Sequence, residues 1–396
     1  MFFARARKWV CLLLAVAVVS FGDARAEELT QNGKAYLDAV WRVSNVAGFG
    51  PLFNNFTGDV YANSIVSSLS VQQVFRGAIP SVSNYSQTAH RQYENGSAGD
   101  CTGSNCTPDH KWVTWATPFM QWDVRKRTSV SLGYDTEAKG FATGITRLLG
   151  ENSIIGLAVG YDKRKQEARD GYLQKIDSDT FHSAIYGGTS FGCFFVDAYA
   201  GYSWSSKRSE RALPMANSFN NTANFNDSIW STGFKASYIW ILPGDLRIVP
   251  AVGLDYSYIH QSSIQEQMGG KTSSNRLFID SADYHSLQTP VTLAVNKTFA
   301  SDFLNFGGIA SLWTPEVRVG WVPQFGSRHA SVNVDAGDGL TFTSKSAKLG
   351  GTSNETVGVG LKVQINDRFT FGIDYDYSSG KDYSSDLLTG TFEISF

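Results

Sequence analysis

Residues 245–261 read DLRIVPAVGLDYSYIHQ, and this stretch decides the fold class. Leu246, Ile248, Pro250, Val252, Leu254, Tyr256 and Tyr258 share one parity, with Arg247, Gly253, Asp255 and Ser257 on the other. Successive side chains of an extended strand point to opposite faces, so this period of two predicts a strand with one apolar and one polar side. The texture recurs. In 153–165, Ile155, Leu157, Val159 and Tyr161 alternate with Gly156, Ala158, Gly160 and Asp162. Phe194, Val196, Ala198, Ala200, Tyr202 and Trp204 share a face, as do Val357, Val359, Leu361, Val363 and Ile365, and Phe369, Phe371, Ile373, Tyr375 and Tyr377.

The polar faces separate a soluble sandwich from a membrane barrel. A sandwich turns that face to bulk water and fills it with bulky, often charged side chains. Here it is Gly, Ala, Ser and Thr with sparse charges of both signs, which fits a confined polar lumen. Expected lumen charges are Asp162, Asp197, Lys235, Arg247, Asp255, Arg318, Lys362, Arg368, Asp374 and Asp376. The apolar runs end in Tyr161, Trp204, Tyr258 or Tyr377, as in an interfacial girdle, and last about ten residues, the length of a tilted membrane strand. Aromatics make up 13% of the chain and charges only 18%. Mean hydropathy is −0.18, with no long apolar run after the N-terminus, so helical spans are not expected.

Twelve antiparallel strands are predicted, near 111–125, 138–149, 153–165, 174–189, 193–208, 226–241, 245–261, 284–299, 309–325, 354–365, 367–379 and 386–396. One set of connections is tight: GENS, GTSFGC, LPGD and IND. The other is long and polar, as in 209–225, 262–283 and 326–353. Segregation of loop length by side is the arrangement of an outer-membrane barrel, with short periplasmic turns and long external loops. Phe303 to Gly308 reads as a longer turn than its peers, and Pro118, Pro250, Pro290 and Pro315 fall inside proposed strands, where each removes a ladder donor.

The N-terminus reads as a secretory signal over 1–26: basic Arg5, Arg7 and Lys8, an apolar core from Trp9 to Val19, then Ala24-Arg25-Ala26. Residues 27–56 follow as a short passenger or linker, and 57–80 as a helix capped by Thr57, with Tyr61, Ile65 and Leu69 at i, i+4 and i+8. Its other positions are Ser64, Ser67, Ser68, Ser70, Gln72 and Gln73, which suit either a narrow polar channel or a surface helix packed on one side. Residues 81–110 read as a loop carrying Cys101 and Cys106, a disulfide candidate in an oxidising compartment, and 111–396 as the barrel. Cys11 leaves with the signal, and Cys193 is expected in the barrel wall, buried or facing lipid.

Several landmarks, taken together and in order, resemble the autotransporter barrel domain, the translocator of type V secretion. Trp112 and Trp115 open the first strand; Gly140-Phe141-Ala142-Thr143-Gly144 is similar to the family's second strand, and Tyr186-Gly187-Gly188 to the close of its fourth. Leu246–Tyr256 resembles the seventh, and Gly320-Trp321 keeps half of the ninth strand's motif. Phe392, Ile394 and the terminal Phe396 resemble the signal by which such barrels engage the barrel-assembly machinery. The resemblance covers 111–396 and the preceding helix. It implies a twelve-stranded transmembrane β-barrel in a Gram-negative outer membrane, with the helix in its lumen, exporting or displaying an N-terminal segment. The roughly thirty residues between signal and helix are far too few for a β-helix passenger.

No catalytic motif appears, so no enzyme activity, cofactor or metal is expected. His182 and His260 with Asp177, Asp179 and Asp283 at an external rim would be the raw material of a barrel hydrolase, against the plainer reading of loop and girdle residues. The resemblance also raises self-cleavage at Asn54-Asn55, as at an Asn-Asn pair in the lumen of some autotransporters, assisted here by Asp255, Asp374 or Asp376; the favoured reading is a plain helix-entry turn, with the mature chain left uncut. A net charge of −2 gives no reason to expect nucleic acid. The expected surroundings are the outer-membrane bilayer and the assembly machinery, around a monomeric barrel. The alternative role is an adhesin or structural barrel whose external loops bind host or matrix.

Overall fold

The computed structural model describes residues 31, 35, 59–85, 111–150, 152–169, 174–212, 220–267, 276–306, 309–326, 329–336, 341–346, 353–365 and 368–396. Strands of one sheet curl until the last pairs with the first, which removes the unpaired edges an open sheet would leave in lipid. Ten staves of this barrel are continuous: β1 (Trp112–Arg125), β2 (Tyr134–Leu149), β3 (Ser153–Ala168), β4 (Gln174–Phe191), β5 (Phe194–Ala212), β8 (Leu246–Gln261), β14 (Ile309–Gly326), β17 (Ser353–Ile365), β18 (Phe369–Gly380) and β19 (Tyr383–Ser395). Two are interrupted: β6 (Asn220–Tyr238) continues as β7 (Trp240–Leu242), and β11 (Ala282–Gln288) as β12 (Val291–Lys297) and β13 (Phe299–Phe306). All neighbours are antiparallel, and β19 closes on β1 through a ladder running from Val113–Ser395 to Arg125–Tyr383. Beyond its end, Phe396 and Trp112 exchange main-chain hydrogen bonds at 2.8 and 3.0 Å.

The twelve strands predicted from alternation are all present, but several extend further at the long-loop end. β2 begins at Tyr134, β3 runs to Ala168, β5 to Ala212 and β6 begins at Asn220. There the outward positions are charged, such as Lys163, Lys165, Arg208 and Glu210, so the apolar alternation stops before the hydrogen bonding does. The predicted long turn at 303–308 also shrinks, because β13 carries its stave on to Phe306 through a register irregularity. Pro118, Pro250 and Pro315 do lie within strands, and Pro290 falls at the break between β11 and β12. At Thr117 and Pro118 the β1–β19 ladder is interrupted, while pairing with β2 continues through Phe141.

Packing is inverted relative to a water-soluble protein. Leu157, Ile185 and Trp230 are each more than half exposed on the outer wall, whereas the inner face buries Ser203, Ser205, Lys207, Ser209 and Arg211. The tight turns gather at one end. Gly192 and Cys193 alone join β4 to β5, Gly192 in the left-handed region at φ 62°, where a side chain would be strained. Cys193 therefore occupies a turn, not a strand, and its carbonyl accepts the Ile239 N–H at 2.9 Å.

The helix α1 (Asp59–Ala78) lies inside the lumen. Sixteen of its residues are buried, on every face. That decides between channel and surface: a helix covered all round by a polar wall needs small hydroxyl and amide side chains, not a single apolar stripe. Thr57, its expected cap, lies outside the described residues.

Two of the long external connections are not open loops. Residues 262–283 supply β9 (Ile264–Gln265) and β10 (Phe278–Ile279), and 326–353 supply β15 (Ser331–Asp335) and β16 (Thr341–Lys345). They form a separate sheet, ordered β16-β15-β10-β9, over the long-loop end. Its inner side chains Ile279, Val332, Val334 and Phe342 join Val60, Tyr61 and Ile65 of α1 in one apolar cluster. No described helix is long and apolar enough to cross a membrane.

Candidate functional site: the plugged lumen

The helix is bonded to the wall along its whole length. At its first turn, Asp59 accepts the Leu132 N–H at 3.1 Å and the Ser344 hydroxyl at 2.9 Å, tying together plug, β1–β2 connection and cap. Asn63 donates to Ser131 at 2.8 Å. Further down, Ser68 donates to Asp227, Ser70 to Asp123 and Gln72 to Ser231, at 2.7–3.0 Å. From the wall, Arg164 donates to Ser67 at 2.9 Å and Lys207 to the Ser64 carbonyl at 3.0 Å. At the other end Arg76 pairs with Asp255. Each bond replaces one that water would make in an open pore, so every side chain named here has at least one partner, while Asp227 Oδ1, Arg164 Nε and Asp255 Oδ1 stay buried without one.

Glu266 is the anchor of the cap. Its carboxylate accepts from Arg211 Nε and Nη2 at 2.9 and 2.5 Å, Tyr61 Oη at 2.8 Å, and Asn221 Nδ2 and the Leu277 N–H at 3.0 Å each. Both members of the Arg211–Glu266 pair are inaccessible to solvent. Burial pushes the Glu266 carboxyl upward, but the Arg211 charge and the hydrogen bonds outweigh it and hold the group below the usual glutamate range.

Toward the C-terminal end of α1, His182 stacks on Phe75 with ring centroids 4.7 Å apart. Its Nε2 lies 2.6 Å from Asp162 Oδ2, and its Nδ1 lies 2.7 Å from Ser203 Oγ and 3.1 Å from Gln72 Oε1. The Ser203 hydroxyl also donates to Gln72, at 2.5 Å. Hydroxyl, imidazole and carboxylate thus form a chain whose far end is the plug. Gly160 makes room for it, since a Cβ there would sit 2.8 Å from the Phe75 ring.

Several expected lumen charges have named inner partners. Asp162 holds His182, and Asp197 accepts the Val82 N–H at 2.7 Å and lies 3.8 Å from Lys235. Asp255 holds Arg76; Arg318 pairs with Glu316, Asp374 and Asp376 at 2.8, 2.8 and 3.0 Å; Lys362 lies 3.6 Å from Glu393. Arg247 is buried within β8. Arg368 departs from the expectation: it lies in the exposed turn between β17 and β18, where parity no longer fixes a face. Lys207, Arg211, Arg164, Asp227 and Glu266 were missed. All but Glu266 share the lumen parity of residues that were assigned, and extending the alternation past Trp204 would have found Lys207 and Arg211.

The proposed hydrolase residues do not assemble. His182 is inside the barrel, whereas His260 and Asp283 pair at 2.8 Å on its outer face, with Asp177 and Asp179 outside too. Asn54-Asn55, Cys101 and Cys106 lie outside the described residues. Beside the C-terminal half of α1 the lumen widens into a cavity of about 600 Å3, bordered by Arg76, Lys235, Glu316, Arg318, Lys362 and Asp374.

An apolar outer wall, short turns at one end, long connections at the other and a bonded lumen helix define a plugged transmembrane barrel. The autotransporter beta-domain family model matches residues 114–376, and the chain belongs to that family. It is 24% identical over 301 residues to "Outer membrane protein A" of Rickettsia conorii, covering 73% of this chain but 14% of that protein. It is 21% identical over 258 residues to "Extracellular serine protease" of Serratia marcescens, covering 63% of this chain and 24% of the relative. The chain thus spans a small fraction of the relatives it matches. Among solved structures, the translocator domain of autotransporter NalP from Neisseria meningitidis superposes with a TM-score of 0.59 at 13% identity, over 85% of this chain and 99% of that one. The beta domain of the Bordetella autotransporter BrkA gives 0.55 at 15% identity, over 72% and 100%. At these identities the likeness is one of fold.

Proposed function

We propose that this outer-membrane translocator barrel delivers residues 27–56 to the cell surface and keeps them there, tethered to α1. The direction of α1 carries the reading. Its N-terminus sits under the cap at the long-loop end and its C-terminus points to the short-turn end, where β1 begins. Chain upstream of Asp59 then leaves on the external side. The Gln31 N–H, which donates to the Ser129 carbonyl in the β1–β2 connection at 2.5 Å, supports the same direction.

In this reading 1–26 is a cleaved secretory signal, 27–56 the displayed segment and 57–80 the pore helix. Residues 81–110 form the return loop, with Cys101 and Cys106 as its disulfide, and 111–396 the barrel. Phe392, Ile394 and Phe396 engage the assembly machinery of a Gram-negative cell. The barrel works as a monomer by conformational passage, without bond chemistry, cofactor or metal.

A second reading draws on the outer side of the cap sheet, where Ser331, Asn333, Asp335, Thr341, Thr343 and Lys345 are exposed or nearly so above the mouth. That polar surface would bind host or matrix. An epitope tag inserted after Glu28 and probed on intact cells separates the two. Display predicts labelling without permeabilisation; labelling only after permeabilisation overturns display and leaves the cap as the working surface.

A further inference from the structure

Tyr161 on β3 stands opposite Phe141 on β2 and Phe181 on β4, and Phe181 opposite Trp204 on β5, making one outward row of four aromatic rings. Such a row marks the level where acyl chains give way to headgroups. One step toward the external end, Lys139 of β2 and Lys163 of β3 stand directly opposite each other on the outer face. Like charges in facing cross-strand positions repel. Their carboxylate neighbours lie to either side: Glu137 is 2.5 Å from Lys139 Nζ, and Asp179, which also takes the Tyr161 hydroxyl, is 3.6 Å from Lys163 Nζ. The Lys163 side chain is 72% exposed.

We propose that Lys139 and Lys163 bind a phosphate group of an outer-leaflet glycolipid, held at the rim of the aromatic row. The inference rests on the membrane reading of the barrel but not on what the barrel exports. A phosphate placed between them accepts hydrogen bonds from both ammonium groups, in competition with Glu137 and Asp179, and bridges the two facing lysines as neither carboxylate does. The lipid's sugar would lie over the ring row, and its acyl chains along the apolar wall beneath, so the surface continues the lipid interface outward. Lys165 adds to the field two residues up the strand, although Glu167 sits 2.6 Å from it.

The test uses the full folded chain in phosphatidylethanolamine vesicles doped with a bisphosphorylated diglucosamine lipid, with lipid retention measured by native mass spectrometry after detergent release. The double variant K139Q/K163Q should lose affinity about thirtyfold and K163Q alone about fivefold, from the usual contribution of a lysine near an anionic surface. K175Q, whose lysine lies further up the wall between Asp177 and Glu210, should retain the lipid as the parent does. A heat-shifted gel band checks that each variant is folded. Unchanged retention by K139Q/K163Q overturns the proposal, as does equal retention of the dephosphorylated lipid or of phosphatidylglycerol. An equal loss in K175Q overturns it too, since any surface charge would then do.

Discussion

Replacing Glu266 by Gln keeps the shape of the side chain and removes its charge. The Arg211 guanidinium, inaccessible to solvent, is then left without its counter-ion. The new amide also turns donors toward Asn221 and the Leu277 N–H, which both donate to the carboxylate at 3.0 Å. Removing one member of a buried ion pair costs about 3–5 kcal/mol. Glu266 ties the cap to the wall of β5 and β6, so the cost falls on the capped state while the barrel ladders remain. At 1.4 kcal/mol per decade, the open fraction of the cap rises by roughly two to three and a half powers of ten. Amide hydrogen exchange reads that fraction directly when closing outpaces exchange. The amides of β10 and β15 should exchange faster by that factor, with β1–β4 unchanged. The double replacement R211M/E266M should recover only part of the protection: no charge is left stranded, but Tyr61, Asn221 and the Leu277 N–H lose the carboxylate they donate to. Unchanged exchange of β10 and β15 in E266Q refutes the argument, and so does acceleration spread evenly over the barrel.

Acid should act through the same carboxylate. Its folded-state value lies below the ordinary 4.5, so its contribution is complete above that value and is lost as pH falls through the folded one. Cap exchange, corrected for intrinsic rates, should therefore rise only on the acid side of 4.5, and E266Q should abolish the dependence. Arg76→Met strands Asp255 at the inner end of the plug and should cost about 2 kcal/mol, allowing for the partial exposure of Arg76; planar-bilayer recordings should show more frequent opening bursts. Gly156→Ala places a methyl against the Tyr186 ring and 2.7 Å from the Ile145 carbonyl, and should lower urea stability by about 1–3 kcal/mol without altering conductance.

Much of the wall was legible because strand geometry is local. Parity alone put Asp162, Asp197, Asp255 and Arg318 on the face opposite Leu157, Val196, Leu254 and Val317, and the structure gives each of those four charges an inner partner. Arg368 escaped because a turn has no parity. The extensions of β2, β3, β5 and β6 escaped because outward Lys, Arg, Asp and Glu look like loop to a reader following apolar residues. α1 was visible as a helix, but its Ser and Gln positions fitted two environments equally, and helical period alone does not name the partner.

Strand period, face composition and loop asymmetry, and with them a membrane barrel, follow from residues close together in the chain. That β9, β10, β15 and β16 pair into a cap, that Glu266 meets Arg211, and that Asp59 joins plug, rim and Ser344 emerges only in three dimensions. Those contacts bring together groups 55 to 285 residues apart, and no local rule of backbone geometry selects one such partner over another.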